Sequence, residues 1–452
     1  KTVLWSNTFS SAADWVIGHD ASACALDWSI GTVSCAGSYP IADIVSSTAA
    51  DGWAMVDSDA YGGANGGSEI EDSWITMASP IDLSAYPNVV VEFETHYRRY
   101  NSERPYVVVG IGDGAGNVTW PDLDPLTDIS TLTNVFDAFP NWANSAATTN
   151  PQLMQINISS ALVGLTPTEL SDIYIRLHWT GTWGYAWFVD DFAIIEQPQN
   201  DVQTSTAYIS GENNSGVEYG RTPSNHVDAN YFVGAQIFNF GVQDQTNVVM
   251  TGDFGSFGNS GSTTLLEADS TITIETTEAL TLSTGLYEGD FTSVSDQETS
   301  GAATFGNNVY ERNFEVTSDV YSLDGAGNHP AGYDDYTSLG TASFTGAEDG
   351  LVLATLYHLK QADQVSGLRV MLTSTGNTAG GEIIASIKDT SAFWANDMTN
   401  LFVSSITTVT ANDISNGYVD VWFDEVLNIN AGVYYAAIEL YSFGNASDIR
   451  VL

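Results

Sequence analysis

Basic residues are scarce in this chain. Its 452 residues include 11 lysines and arginines against 56 aspartates and glutamates, which gives a formal net charge of −45. Nucleic acids and anionic lipids both require Lys and Arg to neutralise phosphate, so neither is an expected partner. Dense carboxylates instead favour hard cations, above all Ca²⁺, and keep a chain soluble at high salt.

Long apolar runs and helical periodicity are also absent. No stretch reaches about 18 apolar residues, the length that a membrane-spanning helix needs, so membrane insertion is not expected. No long amphipathic helix and no strand–helix–strand rhythm is evident, which disfavours a Rossmann or α/β-barrel enzyme. The HExxH and GxSxG signatures of common hydrolases are missing as well.

Cysteine occurs only twice, at Cys24 and Cys35. The two lie close together in sequence and lack the CxxC spacing of redox and zinc sites. An isolated close pair outside the cytosol usually forms a disulfide, and a bond closing so short a loop adds about 2–3 kcal/mol of stability. We therefore predict a Cys24–Cys35 disulfide. Two buried free thiols are the alternative.

The chain does have the sequence pattern of β-strands joined by turns. Bursts of Val, Ile, Thr, Tyr, Phe and Trp alternate with Gly, Asn, Asp and Ser, and 43% of residues are hydrophobic. A polar run with a proline at 196–201 marks the clearest boundary. We predict an all-β fold of tandem β-sandwich domains at residues 1–197, 198–317 and 318–452. Seven strands in about 115 residues make the second immunoglobulin-like. The abrupt chain end suggests that the third is truncated.

Residues 79–120 and a closing strand at 187–194, Trp-Phe-Val-Asp-Asp-Phe-Ala-Ile, carry a family resemblance. They resemble the MAM-type, concanavalin-like jelly roll of proteins exported by the type IX secretion system of Bacteroidota. The resemblance implies a jelly roll for residues 1–197 and a secreted or cell-surface location. The start at Lys1 agrees with cleavage of a signal peptide.

The first candidate site is a metal centre. Asp57 and Asp59 stand two positions apart before a Gly-rich turn, an arrangement that can wrap a hard cation. The resemblance implies that an aspartate of the closing strand completes such a site. Period-two alternation puts Asp191, rather than Asp190, on the side of Trp187, where a buried carboxylate would need a cation. We predict a structural Ca²⁺ on Asp57, Asp59 and Asp191. A solvated Asp-rich turn is the alternative.

The second candidate is a polar face on two strands. Polar residues alternate with apolar ones along both, and a tryptophan in a turn offers a ring on which a sugar can stack. Two alternate carboxylates are compatible with a retaining glycosidase, but a histidine stands where such enzymes carry their last acid, so catalysis is not expected. A merely solvated sheet face is the alternative. The predicted ligand-binding set is Glu92, Glu94, His96, Arg98, Arg176, His178 and Trp183.

These features favour a non-enzymatic extracellular protein, namely an adhesin or a subunit of an extracellular filament or appendage. Few lysines protect the edges of its sheets, so self-association or binding to other surface proteins is expected. Arg98, Arg99 and Arg104 are candidates for meeting an acidic patch on a neighbour. The alternative is a glycan-binding ancillary region of a larger secreted hydrolase. Exposed tryptophan or tyrosine beside paired polar groups would favour that alternative.

Overall fold

The computed structural model describes residues 2–67, 69–123, 127–211, 218–255, 257–279, 282–323, 338–394 and 400–452. Strands dominate it, and the predicted all-β fold is confirmed. Three hydrophobic cores follow one another along the chain, within residues 9–194, 202–316 and 370–451. The exact domain boundaries remain a prediction. No helix in the described residues is long and apolar enough to cross a bilayer.

The first unit contains twelve of the described strands and two short helices. The strands are β1 (Val3–Asn7), β2 (Trp15–His19), β3 (Ser29–Gly31), β4 (Trp53–Asp57), β5 (Glu71–Met77), β6 (Val89–Tyr97), β7 (Arg104–Gly112), β8 (Val118–Thr119), β9 (Val135–Asp137), β10 (Gln152–Asn157), β11 (Ile173–Gly181) and β12 (Ala186–Glu196). The helices are α1 (Ser58–Asn65) and α2 (Pro167–Leu170), and three 3₁₀ turns lie at Ala12–Asp14, Ile129–Thr131 and Ser159–Leu162.

These strands form a sandwich of two antiparallel sheets. Sheet 1 has the order β10-β6-β12-β4-β3, with β1 paired to β12. Sheet 2 has the order β2-β5-β11-β7-β8, with β9 paired to β7. Alternate residues face the shared core, so Phe93 of sheet 1 and Leu177 of sheet 2 are both fully buried there. Trp179 and Trp187, which alternate in step with the apolar residues of their strands, are the largest fully buried side chains in this core.

A β-bulge interrupts β12. Its pairing with β6 is regular up to Asp190 and resumes at Ala193, and Asp191 has a φ of 47°. The extra residue shifts the alternation, so that Val189 and Phe192 both face the core although they are three positions apart. Both aspartates contact residues 46–48 instead, on the outer side of sheet 1. The predicted core-side burial of Asp191 is therefore wrong: Asp190 is the fully buried one, and Asp191 is half-buried.

The second unit packs a three-stranded sheet, β13-β15-β18, against a five-stranded sheet, β14-β20-β19-β16-β17. Its sheets are antiparallel except where β14 runs parallel to β20. A 3₁₀ turn lies at Phe305–Asn307. The strands are β13 (Val202–Ser210), β14 (Arg221–Pro223), β15 (Asn230–Asn239), β16 (Gln245–Asp253), β17 (Gly258–Leu266), β18 (Thr271–Ala279), β19 (Gly285–Val294) and β20 (Val309–Thr317).

The third unit has one larger sheet, β22-β28-β24-β25 with β26 on β24, and two strand pairs, β23-β27 and β21-β29. Two short helices, α3 (Thr390–Trp394) and α4 (Ala411–Asn416), interrupt it. The strands are β21 (Leu339–Gly340), β22 (Asp349–Leu359), β23 (Asp363–Met371), β24 (Glu382–Asp389), β25 (Phe402–Val403), β26 (Thr407–Thr408), β27 (Tyr418–Ile429), β28 (Gly432–Tyr441) and β29 (Arg450–Val451).

Candidate functional site

Two of the three predicted calcium ligands lie at the start of helix α1. Asp57 is its N-cap: one carboxylate oxygen accepts the N–H of Ala60 at 2.9 Å, and the other accepts the N–H of Ala36 at 2.7 Å. Asp59 accepts hydrogen bonds from Trp183 Nε1 at 3.2 Å and from the backbone of Tyr39. The segment predicted as a metal loop is therefore a capped helix, whose N-cap carboxylate already binds backbone N–H groups.

Asp191 lies elsewhere on the sheet. Asp57 pairs with Ala186, which puts Asp191 five residues further along β12, about 16 Å away at strand spacing. Its carboxylate accepts hydrogen bonds from Ser47 at 2.6 Å and Thr48 at 2.9 Å. In the described residues no three His, Cys, Asp or Glu side chains form a cluster fit for a metal ion. Calcium binding stays a prediction, and the structure does not bring its three proposed ligands together.

Cys24 and Cys35 are free thiols, which corrects the predicted disulfide. Cys24 is buried in the core between the sheets, and its Sγ lies 3.3 Å from the backbone O and N of Asp72. Cys35 lies on the outer side of sheet 1, with its Sγ 3.7 Å from Met55 Sδ. Sheet 1 separates the two side chains. Burial raises the pKa of the Cys35 thiol to about 12, so it is an unreactive thiol.

The outer face of sheet 1 holds Glu92, Glu94 and His96 of the predicted ligand-binding set. Other parts of the chain cover this face. A segment within residues 35–53 crosses it, with Ile44 packed in the same cluster as Phe188. The same segment donates the Ser47 N–H to Glu94 at 2.9 Å.

Further along the same face, the second unit takes over the cover. Val90 and Ala193 of sheet 1 cluster with Phe240 of the second unit. Glu92 is only 7% exposed and accepts a hydrogen bond from Gln155 at 2.9 Å. Burial also lowers the pKa of His96, which favours its neutral form. The covering segment and the second unit therefore leave Glu94 and His96 only partly exposed.

Arg98 and Trp183 lie at one end of the sandwich, each beside one ring of the Tyr100–Tyr185 pair. The Arg98 Cζ lies 4.8 Å from the centre of the Tyr185 ring, and Tyr100, 48% exposed, lies 5.7 Å from that same ring. Trp183 packs over Gly62, where an added Cβ would come within 2.7 Å of its indole. With its Nε1 bonded to Asp59, Trp183 is chiefly a packing residue of the helix α1 region.

The outer face of sheet 2 carries the clearest binding chemistry. Arg176 of β11 lies between two indoles, with its Cζ 4.4 Å from the ring of Trp74 and 3.7 Å from the ring of Trp120. Both tryptophans are half-buried. Glycines make room for them, because an added Cβ would come within 2.6 Å of Trp74 at Gly18 and 2.4 Å of Trp120 at Gly110. We call Trp74, Arg176 and Trp120 the tryptophan–arginine platform.

Strand pairing explains how these groups meet. Trp74 of β5 pairs with His178 of β11, and Thr76 pairs with Arg176, so all four side chains share one face. Trp120 reaches the same face from the end of β8, which pairs with the far side of β7. The sheet thus brings together residues from three separate parts of the chain.

Polar groups adjoin the platform. His178 is 2% exposed, and its Nε2 donates to Asp72 Oδ1 at 2.6 Å. Burial lowers the pKa of His178, so the ring is neutral and its Nδ1 is a free acceptor. Among the described residues Nδ1 has no hydrogen-bond partner, and neither has the buried Thr180 Oγ1 two positions along. Such unsatisfied buried atoms are rare in native proteins.

Arg176 is 9% exposed, and burial lowers its pKa to about 10. Its Nε donates to Thr76 Oγ1 at 3.0 Å. No carboxylate in the described part of the chain lies within 4.0 Å of its guanidinium nitrogens. Arg176 and His178 were predicted from their alternation along β11. Trp74 was missed, although it has the same parity as Asp72 and Thr76 along β5 and so shares their face. Alternation alone does not tell which strand lies beside β11.

No family model and no curated protein matches this sequence. Among solved structures, the chain is similar to the glycoside hydrolase domain of Endo-D from Streptococcus pneumoniae R6, at 10% identity over 68% of this chain and 38% of that one, with a TM-score of 0.20. It is also similar to a GH2 β-galacturonidase from Eisenbergiella tayi, at 9% identity over 67% of this chain and 44% of that one, with a TM-score of 0.27.

A third similar structure is TmCBM61 in complex with β-1,4-galactotriose, at 12% identity over 44% of this chain and 99% of that one, with a TM-score of 0.21. The chain spans less than half the length of the two hydrolases. At TM-scores this low, none of these likenesses bears on function.

Proposed function

We propose that this chain is a non-catalytic, extracellular glycan-binding region and that the tryptophan–arginine platform holds the sugar. The observation that carries the proposal is the pair of half-buried indoles, Trp74 and Trp120, on either side of Arg176. Sugar rings present apolar C–H faces that pack on aromatic rings, while their hydroxyls require hydrogen-bonding groups close by.

The terminal nitrogens of Arg176 can meet that second requirement, because neither has a hydrogen-bond partner among the described residues and neither is sealed from solvent. The buried His178–Asp72 hydrogen bond lies on the same strand face and holds the imidazole in one orientation. An aromatic surface with convergent polar groups is the usual make-up of a small-molecule site. Glycines under both indoles let the rings lie close against the sheet, which limits the ordering entropy that binding would cost.

Two observations favour this function over the other sequence-based hypotheses. First, Glu92 and Glu94 are the carboxylates considered for glycosidase chemistry, and both lie on a covered face and accept hydrogen bonds from other parts of the chain. This supports a non-catalytic role. Nothing in the described part of the chain favours an adhesin or a filament subunit over glycan binding. Secretion, and export through a type IX system, belong to this proposal and rest on the sequence resemblance alone.

The test is a polysaccharide array followed by titration calorimetry on whichever polymer binds. Trp74→Ala and Trp120→Ala should each lower the affinity roughly tenfold or more, since an aromatic anchor at a binding hot spot contributes above about 1.4 kcal/mol. Trp394→Ala and Trp422→Ala are the matched controls, because these indoles are 76% and 60% exposed in the third unit.

Gly110→Ala is a further probe, because its Cβ would displace Trp120 without removing the indole. It should weaken binding while near-ultraviolet circular dichroism shows the rest of the fold intact. Binding that survives both Trp74→Ala and Trp120→Ala, or no binding to any polymer on the array, would overturn the proposal.

A further inference from the structure

The charge at the centre of the platform makes no contact with a carboxylate among the described residues. Arg176 is one of 11 basic residues in a chain with 56 acidic ones, and it is almost fully buried. Even so, its single hydrogen bond within the described residues goes to a neutral hydroxyl, on Thr76. Buried charges are normally paired, because removing an ion from water costs several kcal/mol.

Strand register explains the missing partner. Arg176 pairs with Thr76 on β5 and with Val108 on β7, so both of its direct cross-strand neighbours are uncharged. The charge of Asp72 acts on Arg176 electrostatically, but the Asp72 carboxylate is hydrogen-bonded to His178 and not to Arg176. The indoles of Trp74 and Trp120 cover the two faces of the guanidinium.

The edge of the guanidinium stays available. Its Nη1 and Nη2 have no hydrogen-bond partner among the described residues, and neither is sealed from solvent. With Nε occupied, these two terminal nitrogens present a planar pair of donors between the two rings. A carboxylate is the planar, two-oxygen acceptor that this geometry matches.

From this we infer that the platform recognises a glycan that carries carboxylates, with the carboxylate of a uronic acid accepted by the terminal nitrogens of Arg176 while the sugar rings contact Trp74 and Trp120. The inference rests on the proposed function and names its ligand class. Bound in this way, the carboxylate of the glycan supplies the negative charge that no described residue brings into contact with Arg176.

The chain's overall charge of −45 opposes binding of any polyanion at long range. Salt screens exposed charges beyond about 8 Å at physiological ionic strength, whereas a hydrogen-bonded, nearly buried pair is screened far less. Specific binding should therefore hold or strengthen between low and physiological salt. Non-specific adsorption to exposed arginines would weaken over the same range.

The experiment compares polymers that differ only at the carboxyl group, namely polygalacturonate, its methyl ester and its carboxyl-reduced form, in calcium-free buffer. The intact chain should bind polygalacturonate about tenfold or more tightly than either neutral form, the ratio expected for a charge-assisted bidentate contact. Arg176→Gln should abolish this preference while weak binding to the neutral forms persists. Arg176→Lys, which keeps the charge but not the planar pair of donors, should keep only part of it.

Arg369→Gln, in the third unit, is the matched control and should keep the full preference. The methyl ester tests the inference without altering the protein, so it holds even if an Arg176 variant misfolds. Equal affinity for acidic and neutral forms, a preference retained in Arg176→Gln, or tight binding confined to a sulfated galactan would each overturn the inference and leave glycan binding intact. No binding to any polysaccharide would overturn the proposed function as well.

Discussion

The first sandwich and the two later units accommodate their arginines in different ways. In the first unit Arg98 and Arg176 stack on aromatic rings, while Arg99 and Arg104 donate to the backbone carbonyls of Trp142 and Glu103. In the later units three arginines pair with carboxylates: Arg221 with Glu315 at 3.1 Å, Arg312 with Glu218 at 2.7 Å and Arg369 with Asp420 at 2.7 Å. Arg450 donates to the Ser338 hydroxyl instead, at 2.8 Å.

Register accounts for the difference. Arg221 stands directly across from Glu315, and Arg369 across from Asp420, so pairing brings opposite charges together. Arg176 has only neutral cross-strand neighbours. Arg98, Arg99 and Arg104 also have no carboxylate partner among the described residues. In the later units Arg221 and Arg369 therefore link paired strands through carboxylates, whereas the arginines of the first unit contact aromatic rings, a hydroxyl and backbone carbonyls.

The largest expected effect concerns Glu71, a buried anion of the first sandwich. It is fully buried, accepts hydrogen bonds from Trp179 Nε1 and Ser58 Oγ, each at 2.7 Å, and burial raises its pKa from 4.5 to about 7. A native pKa above the unfolded one means that the folded state binds more protons, so this group's contribution to stability falls as pH rises from about 4.5 to 7. The loss is on the order of 3 kcal/mol.

Urea denaturation of the intact chain at pH 5 and pH 8 tests this. Glu71→Gln should remove that part of the pH dependence and gain stability relative to the parent as pH rises. Glu267→Gln, an exposed glutamate in the second unit, is the control and should follow the parent at both pH values. Parallel pH curves for the parent and Glu71→Gln would contradict the prediction.

The next effect contrasts the two kinds of arginine. Arg312→Met should destabilise the chain by about 1–2 kcal/mol, because it leaves the Glu218 carboxylate, 22% exposed, without its partner. Arg176→Met should change stability by less than about 1 kcal/mol, because methionine keeps the ring contacts and removes a nearly buried charge that no carboxylate contacts among the described residues. Calorimetric melting of both variants measures the two losses of stability. Equal losses would contradict the prediction.

The smallest effect concerns an exposed pair. Arg369 is bidentate to Asp420, at 2.7 and 2.9 Å, but its side chain is 55% exposed. A double-mutant cycle of Arg369→Ala and Asp420→Ala should give a coupling energy below about 1 kcal/mol, and the coupling should shrink at high salt. A larger, salt-insensitive coupling would show that the later units depend on their ion pairs more than exposure suggests.

Period-two alternation indicates which side of a single strand is buried, as it does for Trp179 and Trp187 in the core. It failed where one residue broke the period, at the bulge that directs both Asp190 and Asp191 to the outer side of sheet 1. The two aspartates before a Gly-rich turn, from which a metal loop was predicted, also match a short capped helix, with Asp57 at the N-cap and Gly66 in the left-handed conformation at the C-cap.

Composition and local pattern alone determined that this is an all-β, strongly acidic chain, and they placed Arg176 and His178 on one strand face. Only the tertiary structure decided which side chains come together on the outer face of each sheet. The cover over Glu92 and Glu94 comes from a segment some 40 residues upstream and from the second unit, and Trp74 and Trp120 reach Arg176 across other strands. Alternation is a property of each strand by itself, whereas register, bulges and covering segments arise from pairing between distant parts of the chain.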